Sequence, residues 1–221
     1  MRCGGRVNNI AAALLAVFLV FCSGGGFIVH AEEREPAAQA NDWFERGRQY
    51  AQQGALDAAI AAYSKAIELR PDFAEAHIGR GFLFSRTKRY TQALEDFQKA
   101  VVLDKRSVAA YNGRGLVYFN TGQYEKAVAD FTTAIGMRQN DAGQHYNRGA
   151  AYAKLGDHGR ALFDLDRAIA LDPKNAEAYS SRGAVSYKQG NTAAAAADFE
   201  KACTLGSETG CKNLKTVSKG K

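Results

Sequence analysis

Proline is nearly absent from this chain, three residues in 221, and so is any long apolar run beyond residue 31. The first scarcity, set beside 46% apolar residues and charges of both signs, argues against a wholly disordered chain. The second excludes a membrane-spanning helix from everything after Glu32. Residues of catalysis are thin as well. There are four histidines, and no His-Glu-x-x-His, no paired Cys-x-x-Cys, no phosphate-binding glycine loop and no Gly-x-Ser-x-Gly element. With no local motif for metal-assisted hydrolysis, nucleotide binding or acyl transfer, neither an enzyme nor a cofactor or metal site is expected.

What is present begins with an export segment. Arg2 and Arg6 precede an apolar run from Ile10 to Phe21, and the small or tolerated residues Val29 and Ala31 resemble a signal-peptidase site. Cleavage between Ala31 and Glu32 is expected, with the mature chain periplasmic or secreted. An uncleaved anchor is the rival reading, since Val7 to Val29 is just long enough to cross a bilayer. Lipidation at Cys22 is disfavoured, because Val20 and Phe21 put bulk where that chemistry needs a small residue. Residues 32–39, charged and proline-bearing, read as a linker. Loss of Arg2 and Arg6 lowers 29 basic side chains to 27 against 23 acidic ones, a net +4. These charges alternate along the chain, which reads as solvated helix faces rather than a nucleic-acid patch.

Glycine, 22 residues in all, recurs at a fixed spacing along much of the chain. From residue 40 the chain repeats without insertion or deletion in blocks 40–73, 74–107, 108–141, 142–175 and 176–209. An Arg-Gly pair recurs every 34 residues at Arg46-Gly47, Arg80-Gly81, Arg114-Gly115, Arg148-Gly149 and Arg182-Gly183. Three residues before each arginine stands Trp43, His77, Tyr111, His145 or Tyr179. In the second half of each block an alanine, a large apolar residue and another alanine follow at i, i+4 and i+7, as in Ala59, Tyr63 and Ala66 or Ala93, Phe97 and Ala100. That spacing is one face of a helix. Between the halves lies Gly54, Gly122, Gly156 or Gly190, with Lys88 the exception. Each block is therefore two helices and a turn, the glycine admitting the large residue opposite, and ten repeat helices are expected. Asp96, Asp130, Asp164 and Asp198 recur at the same period, which predicts an Arg–Asp structural ladder. His77 and His145 fill an aromatic packing position, and His158 another, opposite Tyr90 and Tyr124.

These residues resemble the tetratricopeptide repeat, in which an aromatic, Leu-Gly, Tyr, Ala, Phe, Ala and Pro recur at these offsets. The resemblance covers about 170 of the 221 residues, departing by arginine in place of leucine before the glycine and by missing prolines at Lys105, Gln139 and Ser207. It implies an all-α fold, a right-handed α-solenoid of five helix-turn-helix hairpins, with a capping helix and basic tail over 210–221. It also implies that first helices line a concave face that binds protein or peptide. Carried over, the apolar lining is Phe44, Ile78, Phe82, Leu116, Phe119, Tyr146 and Tyr187, and Arg48, Arg86, Asn112, Asn120, Lys154 and Lys188 supply donors. Such a lining suits a partner segment with apolar side chains and some negative charge. The Lys and Asn set of the family's two-carboxylate clamp is not matched.

In an exported chain Cys203 and Cys211 are the cysteines left after processing, and their surroundings resemble the bridged hairpins of Sel1-type repeats. That resemblance implies a Cys203–Cys211 disulfide. The expected function is a non-enzymatic interaction scaffold. A component of an envelope assembly, using the convex face or the open ends, is the alternative.

Overall fold

Two periods, 34 residues between blocks and 3.6 within them, set the architecture: a row of antiparallel helix pairs. A computed structural model describes residues 36–219. The expected signal segment, its cleavage point and the start of the linker lie outside these residues. Eleven helices follow one another within them: α1 (Pro36–Gln52), α2 (Leu56–Leu69), α3 (Ala74–Arg86), α4 (Tyr90–Leu103), α5 (Val108–Asn120), α6 (Tyr124–Met137), α7 (Ala142–Leu155), α8 (His158–Leu171), α9 (Ala176–Lys188), α10 (Thr192–Thr204) and α11 (Glu208–Lys219). The first ten form five hairpins. Helix α1 begins four residues inside the segment expected as linker. Pro36 suits a first helical position, and Ala37, Ala38 and Gln39 are good helix formers that carry the helix on to Ala40. Helix α11 begins at Glu208 rather than at residue 210, because the αL residue Gly206 (φ 94°) and Ser207 make a short connection.

The alanine, large residue, alanine face is the core of every hairpin. All ten alanines of the pattern, from Ala59 and Ala66 to Ala195 and Ala202, are fully buried, as are Phe97, Phe131 and Leu165. Each large residue sits against the glycine of its own first helix. A Cβ on Gly47 would come within 2.6 Å of the Tyr63 ring, and one on Gly115 within 2.7 Å of the Phe131 ring. No L-residue with a side chain fits there without displacing an aromatic ring from a close-packed core.

Curvature follows from which helices touch. Each of α1, α3, α5, α7, α9 and α11 brings its backbone close to the next in that series, whereas among the described residues no second helix brings its backbone so close to another second helix. The first helices are therefore crowded on the inner side, and α11 occupies the place of a sixth one. No helix among the described residues is long and apolar enough to cross a membrane.

Candidate functional site

The inner face is built from positions of the first helices that the core leaves uncovered. Leu116, Phe119 and Asn120 of α5 and Tyr146, Asn147 and Ala150 of α7 surround a hollow of about 190 Å³ whose floor is Phe131. Leu116 and Phe119 pack on the Phe131 cluster from above, and the Phe119 ring stands edge-on to Tyr124 at 5.5 Å. Tyr146 leans on the Tyr152 and Leu165 cluster. Asn147 donates from Nδ2 to Asn112 Oδ1 at 3.2 Å, linking α7 to α5 beside the hollow. An apolar cup with amide groups beside it can take one apolar side chain and hydrogen-bond the main chain that carries it.

The remaining expected residues divide. Ile78 and Phe82 are half-buried against the Phe84 and Phe97 cluster, with Phe82 edge-on to Phe97 at 5.0 Å. Phe44 turns inward to Phe73 at 4.7 Å and Tyr63 at 5.6 Å, so much of its surface belongs to the first hairpin's core. Arg48 is neutralised locally by Glu45 at 3.1 Å. Arg86, Lys154 and Lys188, in the last turns of α3, α7 and α9, are exposed and carry no ion pair among the described residues. The nearby acids are engaged or marginal: Glu177 accepts from Ser207 Oγ at 3.0 Å, and Glu75 is exposed at the start of α3. Tyr187 is 48% exposed beside Lys188, two first helices away from the Leu116 hollow. Two lining residues were not foreseen from the sequence: Ala150, whose small size opens the cup, and Phe131, the large residue of the repeated α6 face.

On the outer side the recurring arginines are structural. Arg80, Arg114, Arg148 and Arg182 each donate from Nε and Nη2 to both oxygens of the aspartate sixteen residues on: Asp96, Asp130, Asp164 and Asp198, at 2.6 to 2.9 Å. The third nitrogen, Nη1, reaches sixteen residues back to the preceding hairpin. It meets Ser64 Oγ at 2.9 Å, Gln98 Oε1 at 2.5 Å, Thr132 Oγ1 at 3.1 Å and Asp166 Oδ1 at 2.7 Å respectively. One guanidinium thus closes its own hairpin and stitches it to its neighbour. The hydrogen bonds to the aspartates hold Arg114, Arg148 and Arg182 above their ordinary pKa despite burial. Burial alone would raise the Asp96 pKa, but bonds from Arg80 and His77 outweigh it and the net shift is downward. His77 and His145 are more than packing residues. Their Nδ1 atoms lie 2.8 and 3.0 Å from Asp96 and Asp164, and their Nε2 atoms lie 3.2 and 3.0 Å from the carbonyls of Pro71 and Gln139.

A disulfide joins Cys203 and Cys211, linking α10 to α11. No cluster of His, Cys, Asp and Glu able to hold a metal occurs among the described residues.

Comparison with known proteins agrees with this geometry. A family model described as "TPR repeat" matches residues 47–88, 86–122 and 117–156, and one described as "Tetratricopeptide repeat" matches residues 142–175. A solved structure of MamA is 26% identical and superposes with a TM-score of 0.68, over 76% of this chain and 91% of that one. YrrB, a TPR protein with an unusual peptide-binding site, is 22% identical with a TM-score of 0.67, over 80% of this chain and 92% of that one. PilF of Pseudomonas aeruginosa is 18% identical with a TM-score of 0.72, over 83% and 86%. No curated protein matches the chain.

Proposed function

The chain belongs to the tetratricopeptide repeat family, whose fold serves protein–protein interaction, and on that premise we propose that it is an exported scaffold binding a protein segment along its inner face. The observation that carries the proposal is the α5–α7 hollow: an apolar cup, lined by Leu116, Phe119 and Tyr146, with unpaired cations to either side at Arg86 and Lys154. The segment that suits it has an apolar anchor and carboxylates near it, the first buried in the cup, the second steering encounter and orientation. Arg2, Arg6 and the apolar run after them support export to a periplasmic or secreted location, and the same run serves as an anchor if it is retained.

The test is peptide display on the immobilised chain, comparing wild type with Leu116→Glu and with the exposed charge reversal Arg86→Glu, Lys154→Glu. Helicity is checked first by circular dichroism. Enrichment of acidic peptides with an apolar anchor on wild type, lost in both variants, is the expected outcome. Absence of any enrichment, or enrichment indifferent to both variants, removes the groove as the working surface. N-terminal sequencing of the mature protein checks the processing half, with Glu32 expected first.

A second reading, an assembly component working through its outer face, has one observation in its favour. Phe163 on α8 is 69% exposed, unusual for so large an apolar side chain.

A further inference from the structure

The inner face does not stop at the fifth hairpin. Helix α11 is seated firmly against α10 and α9. A Cβ on Gly210 would fall 2.6 Å from Ala202 Cβ, and Val217 is buried with Phe199 and Ala195. Ser207 Oγ accepts from Gly210 N at 3.1 Å and donates to Glu177, and the Cys203–Cys211 bond closes the connection. So placed, α11 supplies Val217 and Asn213 to a second hollow of about 170 Å³, whose other walls are Ala184, Tyr187, Lys188 and Phe199.

The two hollows share four repeat positions, three on a first helix and one on the second helix beneath it. Leu116, Phe119, Asn120 and Phe131 of the first correspond, two 34-residue blocks on, to Ala184, Tyr187, Lys188 and Phe199 of the second. In the fourth hairpin the corresponding residues are Ala150, which also lines the first hollow, Ala153, Lys154 and Leu165, so that two small side chains and a cation follow the first cup. The inner face thus reads cup, a stretch of small side chains with a positive charge, cup.

We infer that the cup at α9 and α11 is a second apolar subsite of the same groove, and that the ligand is an extended acidic segment carrying two apolar anchors. This rests on the groove reading above and adds to it the second site and the spacing. Neighbouring first helices in contact stand roughly 8–10 Å apart, so the two cups are separated by about 20 Å. An extended chain rising about 3.3 Å per residue covers that in about six residues. Carboxylates between the anchors meet Lys154, and one beyond the second anchor meets Lys188. Both lysines are exposed and without ion pairs among the described residues.

The probe is a set of fluorescein-labelled peptides of Glu, Ser and Gly. Each bears one phenylalanine, or two separated by three to nine residues, and binding to the purified chain is read by anisotropy. Affinity should peak near a separation of six, about tenfold above the single-phenylalanine peptide, the gain expected from burying one more apolar side chain. Ala184→Glu, and independently the exposed Lys188→Glu, should bring the two-anchor peptide down to the affinity of a single-anchor peptide on the same variant and remove the dependence on spacing. Binding that is insensitive to spacing and to both variants but still lost in Leu116→Glu overturns this inference alone. Binding of no peptide overturns it together with the groove reading. Light scattering of the peptide-free chain covers the remaining occupant: a dimer that peptide dissociates puts a second copy in the groove and overturns the inference as well.

Discussion

The first hairpin and the four that follow carry the same arginine and use it differently. Arg80, Arg114, Arg148 and Arg182 are partly buried and spread over an aspartate of their own hairpin and an acceptor of the preceding one. Arg46 is exposed and rests over the Trp43 ring at 4.7 Å. Sixteen residues on, where the others find aspartate, the first hairpin has Ala62, and among the described residues no hairpin precedes it to supply a backward acceptor. The arginine position is therefore a property of the junction between hairpins. Where the junction is missing, the carboxylate is missing too and the side chain returns to the surface.

The strongest way to break this contrast is to give a later hairpin the first one's composition. Asp164, 1% exposed, is bonded to Arg148 and His145 together. Asp164→Ala leaves a half-buried guanidinium and an imidazole without their acceptor, and a loss of about 3 kcal/mol is expected in urea unfolding. Arg46→Ala should leave the unfolding midpoint where it was. Equal losses from the two would dissolve the distinction.

A smaller effect comes from acid. Because the folded pKa of Asp96 lies below its ordinary value of 3.8, the aspartate contributes stability that is present above that value and lost as pH falls through the lower, folded one. Unfolding measured from pH 5 down to pH 2 should show this loss in wild type and a shallower one in Asp96→Asn. The first hairpin, with no such carboxylate, should add nothing to that slope, so identical slopes would place the acid sensitivity outside the forks.

The finest contrast is among the turns. Gly54, Gly122, Gly156 and Gly190 hold φ between 76° and 83°, and the second hairpin meets the same demand with Lys88 at φ 59°. A lysine there bears the cost of Cβ in the left-handed region, so Lys88→Gly should stabilise by about 1 kcal/mol. No gain, or a loss, would mean that the lysine compensates by a contact of its own.

Much of this was legible in the sequence because a residue that recurs every 34 positions meets the same neighbours each time. The glycines, the alanines and large residues of the second helices, and the partnership of arginine with aspartate could all be read that way. The backward reach of each arginine could not be. Its acceptors, Ser64, Gln98, Thr132 and Asp166, share a position but no residue type, since any oxygen at the right height serves. The histidines misled for a related reason. His77 and His145 stand where Tyr111 and Tyr179 stack on their own arginines, yet imidazole is polar on two sides and bonds the aspartate and a loop carbonyl instead. Of the inner face, the positions were readable and the hollows were not. Phe44 has the right position, but a neighbour at Phe73 draws it into the core. The contribution of α11 was hidden because it begins at Glu208, out of step with the 34-residue count that reveals everything before it.

The backward stitch also bears on how such a chain can grow. Arg80, Arg114, Arg148 and Arg182 each find one partner sixteen residues ahead and another sixteen behind, so both are located by a distance along the sequence that is less than one block. Copying a whole block of 34 residues into the interior leaves every guanidinium with both partners, and the new copy arrives with its own. An insert of another length placed within a helix rotates one donor away from its acceptor. The helical part of the molecule thus keeps every stitch when it grows by whole hairpins, a grammar of duplication written in the reach of one side chain.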